Sequence, residues 1–185
     1  PEYGSAATQT AHSAENPEES IAWNPLSFAS ARAAVLEAEN AVGSALSELV
    51  LVADPPRDEP AFLDLAPAQL EKRILYWTAG YAQFVREAAK AMSAKGSGTL
   101  VLAIVSSVQQ GLCSAMAAAA LEAMASSILE QNPGGMLGSC RFIAIKDESD
   151  NPETLAKAVI KAMDDPPRNA GKVIKLGGKS FFSKQ

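Results

Sequence analysis

Three side chains hold most of the sequence's capacity for nucleophilic or metal chemistry: His12, Cys113 and Cys140, the one histidine and the two cysteines of the chain. Their spacing gives neither a disulfide framework nor a zinc site, and His12 lies in a polar head far from both cysteines. The cysteines read as small buried apolar residues of a reducing compartment, which implies a cytoplasmic protein. Ser106 and Ser107 are the next candidates, and they read as polar residues closing a strand. Against this shortage stands a surplus of alanine, 35 of 185 residues. Alanine favours helices and close helix packing but has no reactive group.

The formal net charge is −5. No basic stripe with interleaved aromatics occurs, which excludes a nucleic-acid partner. Residues 1–31 hold Glu2, Glu15, Glu18 and Glu19 with no lysine or arginine, and Lys172–Gln185 holds four lysines with no acid. Both read as solvated ends. The most apolar region, Leu100–Leu129, is interrupted by Ser106, Ser107, Gln109, Gln110, Gly111 and Glu122. It is not expected to cross a bilayer as one helix, so no membrane partner is expected.

The framework around these residues follows from hydrophobic periodicity. Residues 1–19 read as an extended acidic arm, and residues 20–185 as a single domain. Ser20–Asn24 is a short strand candidate. Ser27 or Ser30 caps a helix to about Val42, stopped at Gly43. The apolar run Leu49–Ala53 reads as a central parallel strand buried on both faces. Pro67 opens one long helix to about Ala94, with Leu70, Ile74, Trp77, Tyr81, Phe84 and Met92 at helical spacing. Thr99–Val105 is a second buried strand, and Leu112 to about Gln131 an alanine-rich helix. Cys140–Ile145 is a strand, Asn151 or Asp150 caps a helix from Pro152 to about Met163, and Lys172–Leu176 is the last strand. This alternation predicts an α/β class, a doubly wound parallel sheet with right-handed crossovers.

From about residue 20 to 178 the chain resembles the short-chain dehydrogenase/reductase family. Phe62–Leu70 is similar to the entry of that family's long interface helix, and Gly80 fits a glycine on it. Gly98-Thr99-Leu100-Val101 looks like the start of the strand carrying the catalytic serine. Ala119–Ala123 matches the helix after the catalytic tyrosine and lysine. Ala170–Ile174 with Gly177-Gly178 resembles the C-terminal strand and its glycine pair.

The resemblance implies a truncated Rossmann-like fold lacking the N-terminal nucleotide-binding unit, because no GxxxGxG turn is present. The family's Asn-Asn-Ala-Gly segment corresponds to Ala53-Asp54-Pro55-Pro56. Aligned on Ala119–Ala123, Ser114 stands at the tyrosine position and Ala118 at the lysine position. Trp77 stands at the helix asparagine, and Ser106 or Ser107 near the catalytic serine. The segment after Ile145 leaves no room for a substrate lid. The expectation is a chain without catalytic residues, bound cofactor or metal, with NAD(P) only in a partner.

The family's interface helices imply a partner-facing surface. The long helix would give Leu70, Ile74, Trp77, Tyr81, Phe84 and Met92. The alanine-rich helix would give Met116, Ala119, Ala120, Ala123, Met124 and Ile128. The C-terminal strand and tail would add Val173, Ile174, Phe181 and Phe182. The expected partner is an active short-chain dehydrogenase in a heterodimer or heterotetramer, acting on a hydroxyacyl or ketoacyl (CoA) substrate. Heteromers of this kind occur in anaerobic toluene degradation and in fatty-acid synthesis. The alternative is a structural subunit that reuses the fold in a larger assembly without a dehydrogenase partner.

Overall fold

The computed structural model describes residues 9–12, 20–44, 46–56, 61–106, 111–131, 137–165 and 171–177. Ser107, Phe181 and Phe182 lie outside them. The elements in order are β1 (Gln9–His12), β2 (Ser20–Trp23), α1 (Phe28–Ala41), β3 (Glu48–Ala53), a 3₁₀ turn (Phe62–Asp64), α2 (Pro67–Leu75) and a π turn (Tyr76–Gly80). After these come α3 (Tyr81–Ala94), β4 (Gly98–Val105), α4 (Leu112–Gln131), β5 (Cys140–Asp147), α5 (Pro152–Asp164) and β6 (Ile174–Leu176).

Four strands form a parallel sheet in the order β3-β4-β5-β6. Successive side chains of a strand point to opposite faces, and the core divides accordingly. Leu100, Leu102, Ile104, Phe142 and Ala144 meet α1, α3 and α4 on one face. Val101, Ala103, Ile143 and Ile145 meet Val159 and Ala162 of α5 on the other. The doubly wound α/β expectation therefore holds, with one correction. The strand order advances in one direction throughout, but α3 and α4 lie on one face and α5 on the other. The β5-α5-β6 crossover thus has the opposite hand to the two before it, so the crossovers are not all right-handed.

The local signals act as the residues dictate. Ser27 caps α1 by accepting the Ser30 N–H, and Asn151 caps α5 by accepting the N–H groups of Glu153 and Thr154. Pro67 opens α2. β1 and β2 pair antiparallel as a separate two-stranded ribbon. Ile21 and Trp23 of that ribbon are buried in the core beside α3. Trp23 lies edge-on to Tyr81, with ring centroids 5.6 Å apart, and tilted against Phe84 at 4.7 Å.

Three further corrections concern what periodicity leaves open. β3 is an edge strand of the described sheet and is not central. Its Val50 and Val52 are 39% and 43% exposed, because α5 covers β4 and β5 but not β3. An apolar run shows that a strand prefers burial, not that both faces are covered. The long helix is interrupted by the π turn, whose extra residue shifts the phase of the apolar stripe. Leu70 is therefore only half-buried and Ile74 exposed, while Trp77, Tyr81, Phe84 and Met92 are buried. β5 continues past Ile145 to Asp147, and β6 begins only at Ile174.

Gly80 ends the π turn against the turn at Pro25. A Cβ there would stand 2.5 Å from the Pro25 carbonyl oxygen and 2.6 Å from the Pro25 Cβ. Gly80→Ala is expected to lower stability by about 1–3 kcal/mol despite the better helix propensity of alanine. Urea denaturation measures this, and an unchanged or raised midpoint would contradict the packing described.

Candidate functional site

Parallel α/β sheets bind ligands at the carboxyl ends of their strands. At that end β3 runs into Asp54-Pro55-Pro56, β4 into Ser106, and β5 into Glu148–Asn151. Beside these strand ends, α4 and the π turn pack together.

Ser114, in the first turn of α4, is 1% exposed. Its hydroxyl donates to the Pro56 carbonyl at 2.7 Å. Pro55 is fully buried alongside. Ala118, one turn further along α4, is buried in the same apolar cluster as Trp77. Trp77 stacks on Tyr81 at 5.2 Å and lies edge-on to Tyr76 at 5.1 Å. The Tyr81 hydroxyl donates to the Val52 carbonyl at 3.3 Å. Ser114, Ala118 and Trp77 are therefore buried. The Ser106 N–H donates to the Asp147 carbonyl at 2.8 Å, which extends the β4–β5 ladder.

A second polar group gathers at the ends of β5 and β6. It was not singled out from the sequence. The buried Asp147 carboxylate accepts the N–H and the hydroxyl of Ser149 at 2.9 and 2.5 Å. This is an Asx turn, and the Asp-x-Ser spacing was its only sequence signal. Asp150 adopts a left-handed φ of 54°. Gly177, at φ 77°, packs so closely that a Cβ would stand 2.6 Å from the Ser149 Cα.

Both cysteines are free and buried. Burial pushes the Cys140 thiol above its ordinary pKa, and its Sγ lies 3.6 Å from the Met92 Sδ. Among the described residues no group of three or more histidine, cysteine or acidic side chains is placed to hold a metal.

The partner-facing expectation divides by burial. Trp77, Tyr81, Phe84, Met92 and Ile128 belong to the chain's own core and are removed from any surface. The sheet takes one side of each helix, and the π turn rotates the rest of the stripe inward. Met116 is 44% exposed, Ala119 and Ala123 are exposed, and Ala120 and Met124 are half-buried. Leu75 and Leu112 add exposed apolar surface near Ile74 and Met116 in the chain. Val173 and Ile174 are half-buried. By length and composition α4 could cross a membrane, but one side of it packs on β4 and β5.

Solved structures of similar shape settle the architecture. A short-chain dehydrogenase from Rhodopseudomonas palustris superposes with a TM-score of 0.67 at 15% identity, covering 88% of this chain and 76% of that one. This chain has the short-chain dehydrogenase fold. A short-chain dehydrogenase from Mycobacterium smegmatis gives a TM-score of 0.66 at 12% identity, covering 85% and 68% of the two chains. Hydroxysteroid dehydrogenase from Escherichia coli gives 0.63 at 17% identity, covering 85% and 72%. No family model matches the sequence, and no curated protein matches it.

Within this short-chain dehydrogenase fold, the Ser114 contact ties α4 to the loop after β3. Ser114→Ala leaves the Pro56 carbonyl without that donor and is expected to cost about 1 kcal/mol in equilibrium unfolding. An unchanged unfolding midpoint would show that the contact is not made in solution.

Proposed function

We propose that this chain is a non-catalytic short-chain dehydrogenase-like subunit that pairs with an active NAD(P)-dependent short-chain dehydrogenase and supports its assembly. The observation that carries this reading is Ser114. It stands where the resemblance puts the proton-donating tyrosine, and it is buried with its hydroxyl donated to a main-chain carbonyl. Ala118, at the lysine position, has no charge with which to lower a donor's pKa.

The cofactor implied by the fold needs backbone N–H groups facing its pyrophosphate. The loop after β3 offers Pro55 and Pro56, which have no N–H, and the exposed Asp54 carboxylate, which would repel phosphate. That loop stands at the family's Asn-Asn-Ala-Gly segment and does not offer donors to a dinucleotide, and the sequence has no GxxxGxG turn to hold the pyrophosphate, so the reading assigns NAD(P) to the partner. The reaction assigned to the complex is hydride exchange on a hydroxyacyl or ketoacyl (CoA) substrate.

The exposed apolar side chains of α2 and α4 support the partner assignment. Met116, Ala119 and Ala123 lie on a helix whose opposite side already fills the core. Small residues there allow another helix to approach closely, and uncovered apolar surface favours association. Two buried free cysteines fit a reducing, cytoplasmic setting.

The experiment is purification of the tagged full chain from its native source. The co-eluting chains are identified by mass spectrometry, and the eluate is assayed with NAD(P)H and acyl-CoA substrates. One active short-chain dehydrogenase in stoichiometric amount is expected. Met116→Asp is expected to reduce its recovery by about tenfold or more while leaving the fold intact. Turnover by the purified chain alone, or recovery of unrelated subunits only, would overturn the reading.

A further inference from the structure

Glu122 is the one charged residue in the first 18 residues of α4, and its two carboxylate oxygens serve two different strands. Oε2 meets the Lys146 Nζ of β5 at 2.9 Å, and Oε1 meets the Lys175 Nζ of β6 at 2.8 Å. Lys146 also reaches the Glu148 Oε1 at 2.8 Å. In the β5–β6 ladder Lys146 and Lys175 are register partners. Two ammonium groups are therefore placed side by side on the face that α4 covers, an arrangement that is unfavourable by itself. β6 has only three residues in the ladder with which to offset that repulsion.

The geometry points to Glu122 as a charge clamp: its carboxylate, set between Lys146 and Lys175, makes the docking of the C-terminal strand conditional on its own ionisation. Among the described residues, the charged groups facing Glu122 are Lys146 from β5 and Lys175 from β6, with Glu148 reaching it through Lys146. The hydrogen bond from Lys175, joined by Lys146 and working against desolvation, holds the Glu122 carboxyl below its ordinary pKa. Its contribution is therefore present above the unfolded-state value and is lost as pH falls through the lower folded one. Desolvation would lower the Lys146 pKa, but the hydrogen bonds Lys146 donates to Glu148 and Glu122 outweigh it and raise the pKa. That share is present below the unfolded-state value and is lost as pH rises through the raised one. Lys175 is largely exposed, so salt weakens its share.

The clamp ends next to Gly177, whose close approach to Ser149 fixes where the chain leaves the sheet. A released β6 would lose that contact too. Docking of the C-terminal strand is thereby a local equilibrium, separate from the folding of the β3–β5 sheet. This inference stands independently of any dehydrogenase partner.

Hydrogen exchange of the full chain, followed by mass spectrometry on residues 171–177 with β4 as internal reference, tests it. E122Q is expected to speed exchange at Ile174–Leu176 on the order of tenfold, with β4 unchanged. E122Q/K146M/K175M removes the repulsion together with the clamp and is expected to return exchange towards the wild-type rate. Exchange in E122Q within about twofold of wild type overturns the proposal, as does a triple variant that stays as fast as E122Q. If E122Q does not fold, as judged by circular dichroism, the triple variant decides. A folded and protected triple variant supports the clamp, and an unfolded one overturns it.

Discussion

Strand β4 is hydrogen-bonded along both edges, and its residues from Thr99 to Ile104 are buried. A strand with no solvated face can exist only between two helical layers, and most of the architecture follows from that requirement. Its even-numbered side chains feed the core under α1, α3 and α4, and Val101 and Ala103 feed the core under α5. The alanine content then has a geometric role. Ala117, Ala118, Leu121 and Ala125 let α4 lie close on β4 and β5, and the same shortness leaves little bulk on the outer side of the helix.

That close packing also governs the chemistry. A site at the carboxyl end of a parallel sheet needs an opening between strand ends and helix starts. Here Pro55, Ser114, Ala118 and Trp77 are buried among β3, the π turn and α4. The Ser114–Pro56 hydrogen bond ties the loop to the helix across that space. Among the described residues, the polar groups around Asp147 are held by one another.

How much was legible depended on whether a feature is local. α4 was readable to its ends, because a long apolar run between a glycine and an Asn-Pro pair leaves few alternatives. The caps at Ser27 and Asn151 were each one of two readable choices. β4 and β5 were legible as buried strands. The edge position of β3 was not, because nothing within Leu49–Ala53 records which helix fails to cover it. The π turn was also invisible, because Trp77 to Tyr81 is spaced as in an ordinary helix and nothing within that segment records the extra residue. The hand of the last crossover depends on which face α5 selects, a tertiary property. The burial of Ser114 is of the same kind, since its hydrogen-bond partner Pro56 lies 58 residues away.

The open edge of β3 has a consequence for behaviour at high concentration. Ser47 bonds towards β4, and the alternation turns the main-chain groups of Glu48, Val50 and Val52 outward. Val50 and Val52 also present apolar side chains there. An edge strand left unpaired among the described residues invites strand addition between copies, a route to aggregation. The chain blunts it from both ends. Tyr81 occupies the Val52 carbonyl, and the exposed Glu48 and Asp54 bracket the run with like charge that a second copy would have to oppose. A tyrosine buried in the core thus also takes up one of the outward main-chain carbonyls of the edge strand.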